Sequence, residues 1–390
     1  MSAKDTIKKC EKYIVRTYKR FPLVLAEGRG VDVRDVQGRT YLDFFSGLAV
    51  NNLGHCYPEV VSAIQLQASK IMHTSNLYYT LPQVLLAEKL VKLSFPGKVF
   101  FCNSGAEANE AAIKLARKWG NPAKNEIITM KESFHGRTVT TVTATGQKKY
   151  HKGFQPLAPG FKHVPFNDLK AIEKSVSKKT AAVMIEIIQG EGGVNVGTAE
   201  FIKGVRTLCT RKNIMMICDE VQTGIGRTGE MFAFEHYGIV PDVVTLAKAL
   251  GGGLPIGAMI SRGKFADVLE PGTHASTFGG NPVVCAAACA VLDTIKKKDL
   301  LKNAENTGGY LVKKLQQLKE SCSLIKEIRG KGLMIGMELS RDGAGIVKKC
   351  MEKRLLINCT AEKVLRIYPP LNVTRAQIDK AVAILSKAMA

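Results

Sequence analysis

The sequence predicts an α/β fold: a large, mostly parallel sheet covered by helices on both faces, followed by a smaller α+β unit. Three observations carry that expectation. Short unbroken apolar runs recur through the middle of the chain, and amphipathic stretches of helical period separate them. After about residue 300 the order changes to helix, two β runs, helix, β and a final helix. Strands that are apolar along their whole length are buried on both faces, the condition of a parallel sheet between helical layers.

Taken in order, the runs at 99–102, 126–130, 182–187, 214–218, 243–247 and 258–260 read as buried strands. The stretches 106–119, 199–210 and 282–297 read as helices. Farther on, 325–329 and 333–339 read as β, with Gly330 and Gly332 marking a break between them.

Composition bounds the function. The chain has 390 residues, 45% hydrophobic and 23% charged, which excludes a fibrous or disordered protein. That length buries a large core without disulfide staples. No run approaches the roughly 18 apolar residues a membrane span needs. The basic stretch 1–20 has no apolar centre, so it is not a secretory signal, and Asp5 and Glu11 count against a transit peptide. The ten cysteines are scattered without a C-x-x-C pair, which points to a reducing, cytoplasmic setting. The seven histidines lack ligand spacing, so no metal is expected.

Charge is the feature out of line: 56 Lys+Arg against 34 Asp+Glu, a formal net +22. Such an excess suits nucleic acid, an anionic membrane surface, anionic small molecules or a lysine-rich solvated surface. The clusters at Lys296, Lys297 and Lys298 and at Lys313 and Lys314 have helical surface spacing and no interleaved aromatics. They read as solvated faces, and neither a nucleic acid nor a membrane is the expected partner.

Four local patterns carry chemistry. Lys248 directly follows the apolar run 243–247 and precedes Gly251, Gly252 and Gly253. A lysine drawn out of water has a lowered pKa, and a neutral amine at a sheet edge suits imine formation with an aldehyde; a strand-end lysine reaching solvent would look the same. Asp219 ends the run 214–218, so it and Lys248 could share the crevice at the strands' carboxyl ends. A carboxylate there could hold a pyridinium nitrogen protonated, or serve only as a helix N-cap or half of an ion pair. Asn103-Ser104-Gly105-Ala106-Glu107 passes from strand through a tight turn into a helix, offering free N–H groups to a phosphate, or a Ser N-cap completed by Glu107. Arg366 lies inside an apolar run and must be paired, with a protein acid or with a substrate carboxylate.

Two further patterns are weaker. Glu186 and Glu191 flank Gln189-Gly190 at a strand end, as an acid–base pair or as solvated loop acids. Gly224-Ile225-Gly226-Arg227-Thr228-Gly229 spells G-x-G-x-x-G, the dinucleotide fingerprint. However, residues 219–223 separate it from its strand, and no convincing helix opens at Gly229.

Together these segments resemble the class III, ornithine-type pyridoxal-phosphate aminotransferases. The resemblance runs from about Phe21 to the C-terminus. It includes Tyr41-Leu42-Asp43-Phe44, Asn51-Asn52-Leu53-Gly54-His55, the turn from Asn103 to Glu110 and Ser133-Phe134-His135-Gly136-Arg137-Thr138. It continues through Asp219-Glu220-Val221-Gln222, Lys248, the run from His274 to Pro282 and the Arg366 segment. Ala106 stands where threonine is usual and Ile187 where proline is common, and neither change touches the chemistry.

The resemblance implies a fold-type I transferase with a seven-stranded large domain over 56–298. The small domain would comprise 299–390 together with an N-terminal segment, 1–55. It implies pyridoxal 5′-phosphate as cofactor, joined to Lys248 as an imine, with Lys248 then moving a proton between substrate carbon and cofactor. Asp219 would bind the pyridine nitrogen, Gln222 the ring hydroxyl side and Phe134 the ring face. Ser104, Gly105 and Ala106 would hold the phosphate, with Glu220 and Val221 also at the cofactor, and Thr277 would come from the other subunit of a homodimer. Arg137 and Ser276 would contact an acyl-amino acid. Glu191 would pair with Arg366 while a terminal amine is bound, and release it for 2-oxoglutarate.

The implied reaction moves the δ-amino group of N-acetylornithine to 2-oxoglutarate. N-succinylornithine, N-succinyl-diaminopimelate, ornithine or 4-aminobutyrate are the alternative donors. From a different class, the alternative is a basic nucleic-acid-binding protein on a degenerate enzyme fold. Such a protein would not need Lys248 and Asp219 together.

Overall fold

The computed structural model describes residues 1–390. Its large sheet has seven strands in the order Lys98–Cys102, Gly257–Ser261, Val243–Leu246, Met215–Asp219, Thr180–Glu186, Glu126–Met130 and Phe161–Val164. All are parallel except Gly257–Ser261, which runs antiparallel to both neighbours. The six expected strands are all present. The seventh, Phe161–Val164, escapes the apolar-run criterion because Lys162 and His163 interrupt an edge strand that is only half-buried.

Side chains alternate between the two faces of this sheet, except at Ala181 and Ala182, where the register shifts. Ile128, Val183, Met216 and Val244 enter one core, while Ile127, Met184, Ile217 and Val243 enter the other. A strand's period of two requires this, and each buried aliphatic side chain contributes about 1.5–3 kcal/mol. The helices Gly105–Gly120, Ala199–Lys212 and Pro282–Lys297 lie where the periodicity predicts them, and no helix is long and apolar enough to cross a membrane.

Two smaller sheets complete the structure. Leu25–Arg29, Asp32–Asp35 and Thr40–Asp43 form an antiparallel sheet that Leu355–Leu356 joins in parallel, bringing the two ends of the chain together. Ile325–Lys331, Met334–Leu339, Val364–Ile367 and Asn358–Thr360 form the other, all antiparallel. The predicted glycine break is a tight reversal in which Gly332 has φ +52°.

One backbone feature left little trace in the sequence. Ser46, Gly47, Leu48 and Ala49 have φ of 50°, 61°, 68° and 60°, a single left-handed turn. Only glycine enters that region without steric cost, so three of the four residues are strained. The turn is held from both sides. Asp43 Oδ1 accepts from Phe45 and Ser46 N–H, each at 2.9 Å, and Ser46 Oγ donates to the Tyr368 carbonyl at 2.7 Å.

The G-x-G-x-x-G loop has a structural role. Arg227 is wholly buried, and its Nη1 donates to the carbonyls of Leu333 (3.1 Å) and Pro369 (2.5 Å). Its Nη2 donates to Asn52 Oδ1. No carboxylate pairs with it, and burial pulls the guanidinium down to about 10. One side chain thus joins the loop after strand Met215–Asp219 to Asn52 and to both ends of the C-terminal sheet segment at Leu333 and Pro369. Arg227→Met leaves three buried acceptors without a donor, each costing about 1 kcal/mol or more. We expect a loss of at least ~2 kcal/mol in urea unfolding; an unchanged midpoint would show that Arg227 is dispensable.

Candidate active site at the carboxyl ends of the strands

Parallel strands deliver their carboxyl ends to one edge of a sheet, where ligands collect. Here Met215–Asp219 ends on Asp219, Thr180–Glu186 ends on Glu186, and Val243–Leu246 leads two residues later to Lys248. They border a cavity of about 580 Å³ that also reaches the start of helix Gly105–Gly120, a size that suits a cofactor with its substrate.

Lys248 is partly buried and has φ +44°, a left-handed conformation held by the surrounding strands. Removal from water pushes its amine below the ordinary lysine value, and the charges of Glu191 and Asp219 pull it part of the way back. Such an amine is available as nucleophile and as base.

Asp219 is almost wholly buried and fully engaged on one oxygen. Oδ2 accepts from Asn109 Nδ2 at 2.7 Å and from His135 Nδ1 at 2.8 Å, while Oδ1 accepts from Val221 N–H at 3.0 Å. Beside it, Glu186 accepts only from the N–H groups of Phe134 (3.0 Å) and Gly190 (3.4 Å). Burial first, and the neighbouring Asp219 charge second, hold Glu186 well above the usual carboxyl value.

At the helix start the Ser104 N-cap is formed, and Glu107 reaches back past it to Asn103 instead of closing a capping box on Ser104. Ser104 Oγ accepts from Glu107 N–H at 3.2 Å, and Glu107 Oε2 accepts from Asn103 N–H at 2.6 Å. Gly105 and Ala106 keep their N–H groups free of intrahelical partners and border the cavity. Glycine is needed at 105, because a Cβ there would lie 2.6 Å from Val221 Cγ1.

The opposite walls carry the substrate-side groups. Arg137 is exposed and makes no ion pair; its guanidinium lies 4.1 Å over the Tyr150 ring and 5.4 Å over Phe134. Glu191 pairs with Arg366, Oε1 to Nη1, at 2.5 Å. Burial would raise the Glu191 carboxyl, but the charge and hydrogen bond of Arg366 outweigh it and leave it below the usual value. Asn358 Oδ1 accepts two further bonds from Arg366, at 3.0 and 2.5 Å. Gln222 faces the cavity and accepts from the Tyr368 hydroxyl at 3.2 Å.

Four expected residues do not line the cavity: Arg366 stands behind Glu191, and three others lie elsewhere. Glu220 points away from the cavity, accepting from Ala233 and Phe234 N–H, both at 2.8 Å, and from Thr223 Oγ1 at 2.9 Å. Ser276 accepts from Asn103 Nδ2 at 3.2 Å and from Gly279 N–H at 3.1 Å, outside the cavity wall. Thr277 lines a separate recess beside His73 and Gln83. Conversely, Tyr18, Val50, Asn109 and His135 border the cavity without having been assigned a role from the sequence. Asn109 and His135 fall inside the quoted motifs, whereas Tyr18 and Val50 do not.

Residues 13–389 match the model of the aminotransferase class-III family. The chain is similar to an acetylornithine aminotransferase of Methanocaldococcus jannaschii, at 53% identity covering 99% of this chain and 98% of that protein. Among solved structures it is similar to an acetylornithine aminotransferase from Elizabethkingia anophelis, at 35% identity and TM-score 0.89, covering 100% and 99% of the two chains. A second is an ornithine aminotransferase from Toxoplasma gondii at 34% identity and TM-score 0.96, covering 100% of this chain and 94% of that one. That structure is described as having pyridoxal phosphate at partial occupancy in its active site. The groups present here fit that cofactor: an activated amine, an anchored carboxylate, free helix N–H groups and an aromatic face around one cavity.

Buried Glu220 sets a pH dependence. Burial raises its carboxyl from the model-compound value of 4.5 to about 7. The folded state therefore holds that proton to higher pH than the unfolded chain, and stability falls as pH rises from about 4.5 to about 7. Glu220→Gln removes this titration. The stability difference, wild type minus variant, should fall by about 3 kcal/mol across that window in urea unfolding; a pH-independent difference would refute it.

Proposed function

The chain belongs to the class-III aminotransferase family, and we propose that it moves the δ-amino group of N-acetylornithine to 2-oxoglutarate. The products are N-acetylglutamate 5-semialdehyde and glutamate. The observation that carries this reading is the Glu191–Arg366 pair in the same site as Lys248, with Arg137 unpaired on another wall. One substrate ends in an amine and the other in a carboxylate, and a charge that can be covered or uncovered accommodates both.

Each side chain then has a role. Arg137 grips the α-carboxylate, and its aromatic platform keeps it aimed. Glu191 covers Arg366 while a terminal amine is bound and yields it when the second carboxylate of 2-oxoglutarate arrives. Pyridoxal phosphate supplies the electron sink for breaking the bond at the amine-bearing carbon. Gly105 and Ala106 hold its phosphate, Phe134 covers a ring face, Gln222 meets the ring hydroxyl, and Asp219 keeps a proton on the pyridine nitrogen. Lys248 carries the proton that leaves the substrate carbon.

The working unit is a homodimer in the cytoplasm. Leu77, Tyr78, Tyr79 and Leu81 are 86%, 70%, 99% and 70% exposed in one contiguous stretch, an apolar surface that a partner should cover. Thr277, outside its own cavity but close to this stretch, reaches the partner's cofactor phosphate, and Ser276 lies beside it.

Steady-state rates with N-acetylornithine, N-succinylornithine, N-succinyl-diaminopimelate, ornithine and 4-aminobutyrate, each paired with 2-oxoglutarate, test the choice of donor. N-acetylornithine should show the highest kcat/KM, and a higher value for free ornithine would overturn it. Arg137→Ala should raise the KM for the amino donor roughly 100-fold, the scale of a lost bidentate ion pair, while cofactor affinity changes less than about threefold. Equal losses of both would contradict the role of Arg137.

A further inference from the structure

We propose that Asn109 is a positioning residue whose carboxamide, anchored by Thr245, holds Asp219 in place and ties the phosphate end of the cofactor seat to its pyridine end. The proposal rests on the reading of Asp219 as the partner of the pyridine nitrogen.

Asn109 is buried on helix Gly105–Gly120, four residues after Gly105 and hence on the helix face that meets the cavity. Thr245 lies on strand Val243–Leu246, directly opposite Asp219 in the sheet register. Three bonds of 2.7 Å each meet at the carboxamide. Thr245 Oγ1 donates to Asn109 Oδ1, and Asn109 Nδ2 donates to the His135 carbonyl and to Asp219 Oδ2.

This pattern admits one orientation. Turning the carboxamide over would press its oxygen against a carbonyl and a carboxylate and leave the Thr245 hydroxyl facing an NH₂ group. As it stands, both amide hydrogens and the amide oxygen are used. The His135 carbonyl and the Asp219 carboxylate, which only accept, thus set the orientation, and the Thr245 hydroxyl anchors the amide oxygen from the other side.

Asp219 is faced by His135, Glu186 and Lys248. His135 Nδ1 donates to Asp219, while its Nε2 is buried with no partner. Asn109 and His135 thus give Asp219 Oδ2 two donors from two different elements, beside the acid Glu186.

The test compares holoenzymes carrying Thr245→Val, Thr245→Ser, Asn109→Leu and Asp219→Asn. Readouts are kcat, both KM values, pyridoxal phosphate affinity and the pH midpoint of the bound cofactor's visible absorption. Thr245→Val should lower kcat roughly tenfold and Asn109→Leu roughly a hundredfold, the scale of one and of two lost bonds at a charged group. The absorption midpoint should move in both, cofactor affinity should fall, and the KM values should change little. Thr245→Ser, which keeps the hydroxyl, should restore most of the loss.

Thr245→Val with wild-type kcat and midpoint, even at a lower melting temperature, would overturn the proposal, and this arm decides if Asn109→Leu does not fold. Asp219→Asn separates the two readings. If it keeps activity and spectrum, the role of Asp219 itself is wrong. If it loses both while Thr245→Val and Asn109→Leu are unchanged, only the role of Asn109 is.

Discussion

A lysine amine and three carboxylates share one poorly hydrated crevice, and the rest of the structure depends on keeping their protons apart. Lys248 is lowered by the loss of water and partly restored by Glu191 and Asp219. Each acid then has its own anchor. Asp219 receives three donors, Glu191 receives the Arg366 guanidinium, and Glu186 receives two backbone N–H groups with no cation in hydrogen-bond contact. Similar groups in different surroundings acquire different proton affinities, which lets one site hold base, acid and counter-ion together.

Two buried arginines show how context separates structure from function. Arg227 is met only by carbonyl and amide oxygens drawn from three parts of the chain, so its charge is fixed in place as a joint. Arg366 is met by a carboxylate on the cavity wall and by Asn358, so its partner can be exchanged without dismantling a core. The two are linked. The Arg227 joint grips the Pro369 carbonyl, three residues from Arg366, and Ser46 of the strained left-handed turn grips Tyr368. The Ser46 hydroxyl and the buried Arg227 cation therefore both steady the strand end that carries Arg366.

Legibility in the sequence followed the physics of each element. Strands buried on both faces must be apolar throughout, so six of the seven central strands were readable, while the half-buried edge strand with Lys162 and His163 was not. Lys248 and Asp219 stood out as charged residues at the ends of apolar runs, but position alone did not separate a chemical role from a strand-end charge reaching solvent or capping a helix. Glu220, adjacent to Asp219, could not be separated from it by pattern, because successive strand residues point to opposite faces and only packing shows which face is the cavity. The net charge of +22 has no counterpart in the site, whose few cations are each matched to an acid or left open for a substrate carboxylate.

By itself the sequence determined the fold class, six of the seven strands of the large sheet and three of its helices, which follow from local rules of periodicity. The same rules singled out Lys248, Asp219, Glu191, Arg366 and Ser104 but left alternatives open, and their roles came only with the family resemblance. Tertiary structure alone decided that Asn109, Thr245 and His135 converge on Asp219, that Arg227 is a joint, and that Ser276 and Thr277 lie outside their own cavity. Those facts depend on contacts between residues up to 175 positions apart, as for Asn52 and Arg227. No local pattern records which distant atom completes a buried hydrogen bond, because that bond exists only once the sheet has brought its strand ends together.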